Sequence, residues 1–205
     1  MESVVLSFRP APPPVNRAEI LRYAGAREEA GLSDLLDDCL AEAFSVLRYE
    51  VCYRFFTVEK KGSALSFGFA ETESQTAARA LDGCDGIVLF AATVGHGLDR
   101  LLSRYSRPSP VRALLLQAIG AERIESLCDR FAKEIGENVR NNGGETRPRF
   151  SPGYGDLPLA MQKEILAALD CQRRIGLTLN ESLLMSPSKS VTAIIGIKNG
   201  RRYEN

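Results

Sequence analysis

The sequence predicts a single domain that mixes helices with strands, of the α/β or α+β class. The chain has 205 residues, 44% of them apolar and 25% charged, ordinary values for one compact domain with a sizeable core. Apolar residues recur at helical spacing in several segments. Between and after those segments lie short runs of β-branched, aromatic or continuous apolar residues bounded by turn residues. No shift in composition marks a second domain and no internal repeat is visible, so the expected domain is 1–205, with 1–15 as a lead-in.

The lead-in carries Pro10, Pro12, Pro13 and Pro14, which stiffen it into an extended segment and exclude a helix. A first helix is expected from Ser33, placed to cap it. Leu36, Cys39, Leu40, Ala43 and Leu47 would form its buried stripe. Residues 49–58 and 64–69 flank the turn-like KKGS and read as a β-hairpin. A short helix is expected over 73–81. The wholly apolar run at 86–92, GIVLFAA, suits a buried strand. A long helical segment starts after Ser109-Pro110, with Val111, Leu114, Leu115, Ala118 and Ile119 on one stripe. Beyond Gly120 the apolar residues move to Ile124, Leu127, Cys128, Phe131 and Ile135, nearly opposite at about 100° per residue. Two solutions stand: the helix breaks at Gly120, or Glu122, Glu125 and Asp129 continue a line that Val111 and Ala118 began. Residues 141–156 hold the densest Gly/Pro signal and are expected to be loop. A helix then carries Met161, Ile165, Ala168 and Leu169 on one face. The chain closes on strands at 177–185 and 190–197 around a turn at SPSK.

Charge and residue inventory exclude several functions. Lys+Arg and Asp+Glu both number 26, which argues against holding nucleic acid or an anionic membrane by bulk charge. No run of about 18 apolar residues exists to span a bilayer, and the acidic start lacks a secretory signal's positive charge. Cys39, Cys52, Cys84, Cys128 and Cys171 are widely spaced, as expected of reduced thiols in a cytoplasmic protein. His96 is the sole histidine, which removes His-rich zinc sites and, unless His96 itself serves, the base of a Ser-His-Asp triad.

The strongest candidate site is Arg147–Tyr154, RPRFSPGY. Each guanidinium is a planar fork that can bind a carboxylate or phosphate through two parallel hydrogen bonds. Pro148 and Pro152 limit the ordering entropy lost on binding, Gly153 permits close backbone approach, and Tyr154 offers a ring and a hydroxyl. The alternative is a surface loop whose arginines meet only solvent. Glu122 and Glu125 form a second candidate, either a solvated helix face or carboxylates that hold a ligand ammonium in a cleft. His96 could act as a general base or as a hydrogen-bonded structural residue. The Gly95-His96-Gly97 and Gly153-Tyr154-Gly155 segments lack the order of a dinucleotide fingerprint.

From Arg149 to Val191 the chain resembles the activation (reactivation) domain of cobalamin-dependent methionine synthase. That family carries R-x-A-P-G-Y-P, a helix, then G-x-x-L-T-E-S-x-x-M-x-P-x-x-S-V. Arg149, Pro152, Gly153, Tyr154, Gly176, Leu179, Glu181, Ser182, Met185, Pro187, Ser190 and Val191 fall on that pattern. A weaker likeness runs back through GIVLFAATVG and the helix carrying Glu125; the part before it matches poorly. The resemblance implies an α+β domain with a central twisted, mainly antiparallel sheet flanked by helices. It also implies an S-adenosylmethionine site in which Arg149 clamps the carboxylate and the Ser151 backbone meets the adenine side. Gly153 and Tyr154 would line it, Glu125 would attract the cationic part, and Tyr203 matches a tyrosine near the family's C-terminal end. The family's N-terminal acidic ligand has no clear counterpart, Asp37 and Asp38 being the candidates.

The resemblance further implies a stand-alone, cytoplasmic component of a methyltransferase system, not a complete catalyst alone. It would support reductive methylation of cob(II)alamin held by a separate corrinoid-binding methionine synthase module, with a flavodoxin-like electron donor. Cobalamin is assigned to the partner because the Asp-x-His-x-x-Gly signature is absent here. The rival expectation is a non-catalytic sensor or binding protein for S-adenosylmethionine or another small ligand. Gly155 stands where the family has proline, which implies a looser loop, and Asn180-Glu181-Ser182 replaces Thr-Glu-Ser.

Overall fold

The structure is a computed structural model and describes residues 4–27 and 29–199. In chain order its elements are β1 (Leu6–Phe8), α1 (Arg17–Ala24), α2 (Ala30–Phe44), β2 (Glu50–Thr57), β3 (Glu59–Lys61), β4 (Ala64–Ser66), β5 (Glu71–Thr72) and α3 (Gln75–Ala80). There follow β6 (Gly86–Thr93), α4 (His96–Tyr105), α5 (Pro110–Asn141), β7 (Glu145–Thr146), α6 (Gln162–Ala168), α7 (Cys171–Ile175), β8 (Thr178–Leu179), β9 (Met185–Ser186) and β10 (Ser190–Lys198).

Among the described residues, the main sheet runs in the order β1-β2-β6-β10-β7 and is antiparallel throughout. The α+β class with an antiparallel sheet between helices is therefore what the chain forms. Every residue of β6 is buried because both faces of the sheet are covered. Val88, Phe90 and Ala92 join one apolar cluster, with α1, α2, α4 and α5. Ile87, Leu89 and Ala91 point the other way, into a second cluster with α3, α6, α7 and the small β3-β4-β5 sheet. That double coverage is why the segment shows no alternation of polar and apolar residues. Phe131 ties α5 to the first face, its ring 4.9 Å from Phe90, 5.0 Å from Tyr53 and 5.5 Å from Phe8.

The long helix is continuous. α5 covers 32 residues, about 48 Å at 1.5 Å per residue, with Pro110 in its first turn, where a missing N–H costs nothing. Gly120 marks a close approach rather than a break. A Cβ there would sit 2.3 Å from Leu98 Cδ2 and 2.9 Å from Lys189 Cγ, so glycine lets α4 and the segment before β10 close on the helix. This lies next to the point where the apolar stripe changes side. Its first half packs on α4 and α2, and its second half on the sheet.

Other expectations need correction. Ser33 does not cap α2, which begins at Ala30 behind Glu29; its hydroxyl accepts from Arg17 instead. Leu36, Cys39, Leu40 and Ala43 are buried as the stripe requires, but Leu47 follows the helix end. The 49–58 strand does not form the first arm of a hairpin. Residues 50–57 pair with β1 and β6 at the centre of the main sheet, and only β3 turns back onto β4 through KKGS. The 141–156 loop contains β7 and a bridge from Phe150 to Ile194. The expected strand 177–185 divides into β8 and β9, because Asn180 caps a tight turn by accepting from the Leu184 N–H at 2.9 Å. No helix is long and apolar enough to cross a membrane among the described residues.

Candidate functional site

The loop between β7 and α6 is shaped from both ends. At its start it runs along the outer edge of β10. The Arg147 N–H donates to the Gly196 carbonyl at 2.8 Å, and Phe150 exchanges two backbone hydrogen bonds with Ile194 at 2.8 and 3.0 Å. At its end it is pinned to α3. One Asp156 oxygen accepts from the Ser74 hydroxyl at 2.5 Å and the Thr76 N–H at 3.0 Å, and the other from the Gln75 N–H at 2.7 Å. The Ser74 hydroxyl and the Thr76 and Gln75 donors hold the Asp156 carboxyl below the ordinary carboxylate range. Between these anchors the Gly153 N–H donates to the Leu157 carbonyl at 2.9 Å. Gly155 is left-handed at φ +59°, where a Cβ would lie 2.3 Å from Thr76 Oγ1. The loosening expected from glycine at 155 is therefore absent. Proline could neither take that φ nor fit that contact.

This loop roofs a hollow of about 570 Å³ whose walls come from α5, α6 and β10. Glu125, Arg149, Ser151 and Tyr154 all line it, and Gly153 lies in the same loop. Tyr203 falls outside the described residues. The hollow is within the usual range for small-molecule sites.

On one wall, Arg149 Nη2 donates to Glu125 Oε2 at 2.5 Å and to Asp129 Oδ1 at 3.2 Å. The arginine side chain is 25% exposed and that of Glu125 41%. Burial works against the guanidinium's charge, but the hydrogen bond and charge of Glu125, with Asp129 behind it, outweigh that and raise the Arg149 pKa above its usual value. In the adjoining core, burial pushes the Cys128 thiol up to about 12, which leaves it a neutral part of that core. One cation and two anions thus meet at the rim, on the helical line of Glu122, Glu125 and Asp129.

Glu122 takes no part in this cluster. It is buried one turn earlier, where its carboxylate pairs with the fully buried Arg123 at 2.5 Å and accepts from the Asn16 N–H and the Ser126 hydroxyl. Arg123 also donates to the carbonyls of Pro13 and Pro14 at 2.6 and 2.8 Å. Neither the solvated reading nor the ligand reading describes Glu122, which fastens the proline-rich lead-in to α5. Asp37 and Asp38 pair with Arg17 and Arg112 and do not line the hollow. His96 is exposed at the start of α4, with Nε2 3.4 Å from the Gly176 carbonyl. Among the described residues no group of three or more His, Cys, Asp or Glu could hold a metal ion.

Sequence reasoning missed Asp129 as a partner of Arg149, and it missed Gln162 and Thr192. Gln162 is 6% exposed and Thr192 2%, both line the hollow, and Gln162 Oε1 and Thr192 Oγ1 have no hydrogen-bond partner among the described residues. One signal for Gln162 was in the sequence, because it shares a helix face with Ile165 and Leu169, where an uncharged polar residue is out of place.

The chain is similar to known proteins in sequence and in fold. The profile of the family described as "Vitamin B12 dependent methionine synthase, activation domain" matches residues 75–204. A solved structure, the MetH reactivation domain bound to AdoHcy, superposes with a TM-score of 0.67 at 16% sequence identity, covering 95% of this chain and 78% of that one. No curated protein matches the chain.

Proposed function

The chain belongs to the family of vitamin B12 dependent methionine synthase activation domains, and on that premise we propose that it binds S-adenosylmethionine in the hollow beside Arg149. In this reading it is an accessory component of the synthase. It supports reductive methylation of cob(II)alamin on a separate corrinoid protein, with the electron supplied by a flavodoxin-like donor.

The observation that carries the proposal is the pairing of Arg149 with Glu125 in the wall of one nucleoside-sized hollow, with Asp129 bonded to the same guanidinium. S-adenosylmethionine bears one carboxylate and two cationic centres, the ammonium and the sulfonium. A wall with one guanidinium and one carboxylate, and a second carboxylate bonded to that guanidinium, has the complementary charge. Both contacts of Arg149 run through Nη2, so Nη1 and Nε carry the donors left for the ligand carboxylate. Glu125 and Asp129 hold the guanidinium in place beforehand, which reduces the ordering required on binding. The remaining lone pairs of Glu125 face the cationic part. The unpartnered Gln162 and Thr192 oxygens fit a ligand that is polar at its other end as well.

When bound, S-adenosylmethionine supplies an activated methyl group. The partner's reduced cobalamin would be the nucleophile that accepts that methyl, leaving S-adenosylhomocysteine. No side chain of this chain need act as nucleophile; its residues supply position and electrostatics. Tyr154, 71% exposed at the mouth of the hollow, is placed to meet the partner.

The test mixes the protein with a cob(II)alamin-loaded corrinoid domain, a reductant and S-adenosylmethionine, followed by absorption. Methylcobalamin is expected, at a rate that depends on this chain. Arg149→Ala should weaken S-adenosylmethionine binding by about 1–3 kcal/mol through loss of a charge-assisted pair. Binding without methylation would replace the accessory role with that of a ligand sensor. Unchanged affinity in the variant would remove Arg149 from the site.

A further inference from the structure

The roof of the hollow is a short span between two anchors. On one side Phe150 is bonded to Ile194 of β10, and on the other Leu157 is buried in the second apolar cluster. Between them Ser151, Pro152 and Tyr154 face the hollow. Three backbone bonds brace the span from within. The Tyr154 N–H donates to Ser151 at 3.3 Å, that of Gly153 to Leu157 at 2.9 Å, and that of Leu157 to Tyr154 at 3.1 Å. Gly153 and Gly155 are both left-handed, at φ +91° and +59°, and glycine loses the most backbone freedom when it is fixed. Two glycines in so short a span make one roof shape costly to hold.

Asp156 supplies a hold from outside the span. Its Oδ1 accepts from the Ser74 hydroxyl and the Thr76 N–H, and its Oδ2 from the Gln75 N–H. Ser74 is itself buried, and its hydroxyl oxygen accepts from the Ala77 N–H at 3.0 Å. A carboxylate suits this place because all three partners donate. An amide offers one accepting oxygen and would turn its NH2 towards an N–H. We propose that Asp156 is a positioning residue for the ligand, whose clasp on α3 holds the Ser151–Tyr154 roof in its binding shape beforehand. It touches no ligand and acts through the roof, so that the roof is ordered on folding and not on binding. The family has proline at the position of Gly155; here a side-chain clasp does the stiffening that a pyrrolidine ring would do. This rests on the reading of the hollow as an S-adenosyl site and adds the residue that keeps its roof in place.

The test uses Asp156→Asn and, from the other side of the clasp, Ser74→Ala, each in the full chain, so that either one suffices if the other fails to fold. In the free protein, hydrogen exchange at the Gly153 and Tyr154 amides should accelerate about tenfold, while β6 and β10 keep their wild-type protection. Calorimetry with S-adenosylhomocysteine should show affinity weakened by about tenfold, the equivalent of ordering one residue's backbone on binding. On adding that compound, the variants should gain protection across 151–155 that the wild type already has when free. A general loss of stability would not give that local, ligand-restored pattern. The double variant should bind no more weakly than the weaker single one, because both cut the same clasp. Wild-type exchange across the roof of a folded variant overturns the proposal. So does a faster-exchanging roof with unchanged affinity. A wild-type chain that does not bind the compound overturns the S-adenosyl reading itself, and with it the role assigned to Asp156.

Discussion

Gly155 shows how much one backbone dihedral can decide. Its φ of +59° lies where L residues cost about 1–2 kcal/mol, and its neighbour Thr76 leaves no room for a Cβ. The family's proline at this position belongs to a differently shaped loop. Gly155→Pro in this chain should therefore lower the melting temperature by at least about 4 °C, the equivalent of some 2 kcal/mol in a domain of this size, and weaken S-adenosylmethionine binding. Gly155→Ala should fall between the two. A proline variant as stable as the parent would show that the loop does not need this turn. From sequence, Arg149 and Tyr154 could be singled out because their chemistry is written in the side chain. The conformation of Gly155 could not, because it depends on Thr76 and Asp156 meeting across a long chain separation.

At the level of elements, α5 organises the molecule. Its first half packs on helices, its second half on the sheet, and the polar residues between them do two separate jobs. Glu122 and Arg123 lock the lead-in, while Glu125 and Asp129 hold Arg149. The helical spacing showed that carboxylates share a line with Val111 and Ala118. It did not show which face of a long curved contact would be covered at each turn. Because the Glu122–Arg123 pair is buried, removing one partner strands a charge. Glu122→Gln and Arg123→Met should each cost about 3–5 kcal/mol in urea unfolding, and the double substitution should recover part of that loss. The single variants should also become sensitive to proteolysis within residues 9–16, the segment that Arg123 holds by two carbonyls. Equal, additive losses with no change in proteolysis would mean the pair does not act as a latch.

On the scale of the whole molecule, both faces of one antiparallel sheet are covered, a stretch of the β10 edge beside the arginine loop has no strand paired to it among the described residues, and the hollow forms there. The continuous burial of 86–92 and the strand at 190–197 were legible because a central strand's pattern is set by its own side chains. The pairing of 50–57 with β6 was not. A strand's partner is chosen by topology, and the nearby turn at KKGS pointed to the wrong one. The motif from Arg149 to Val191 located the loop and the strand, while Gln162 and Thr192 emerged only once α6 was laid against β10. The central claim, that S-adenosylmethionine occupies this hollow, is tested most directly by a crystal structure of the protein grown with that ligand. The account predicts the ligand in the hollow with its carboxylate on Arg149; ligand bound elsewhere on the chain, with the hollow left empty, would contradict it.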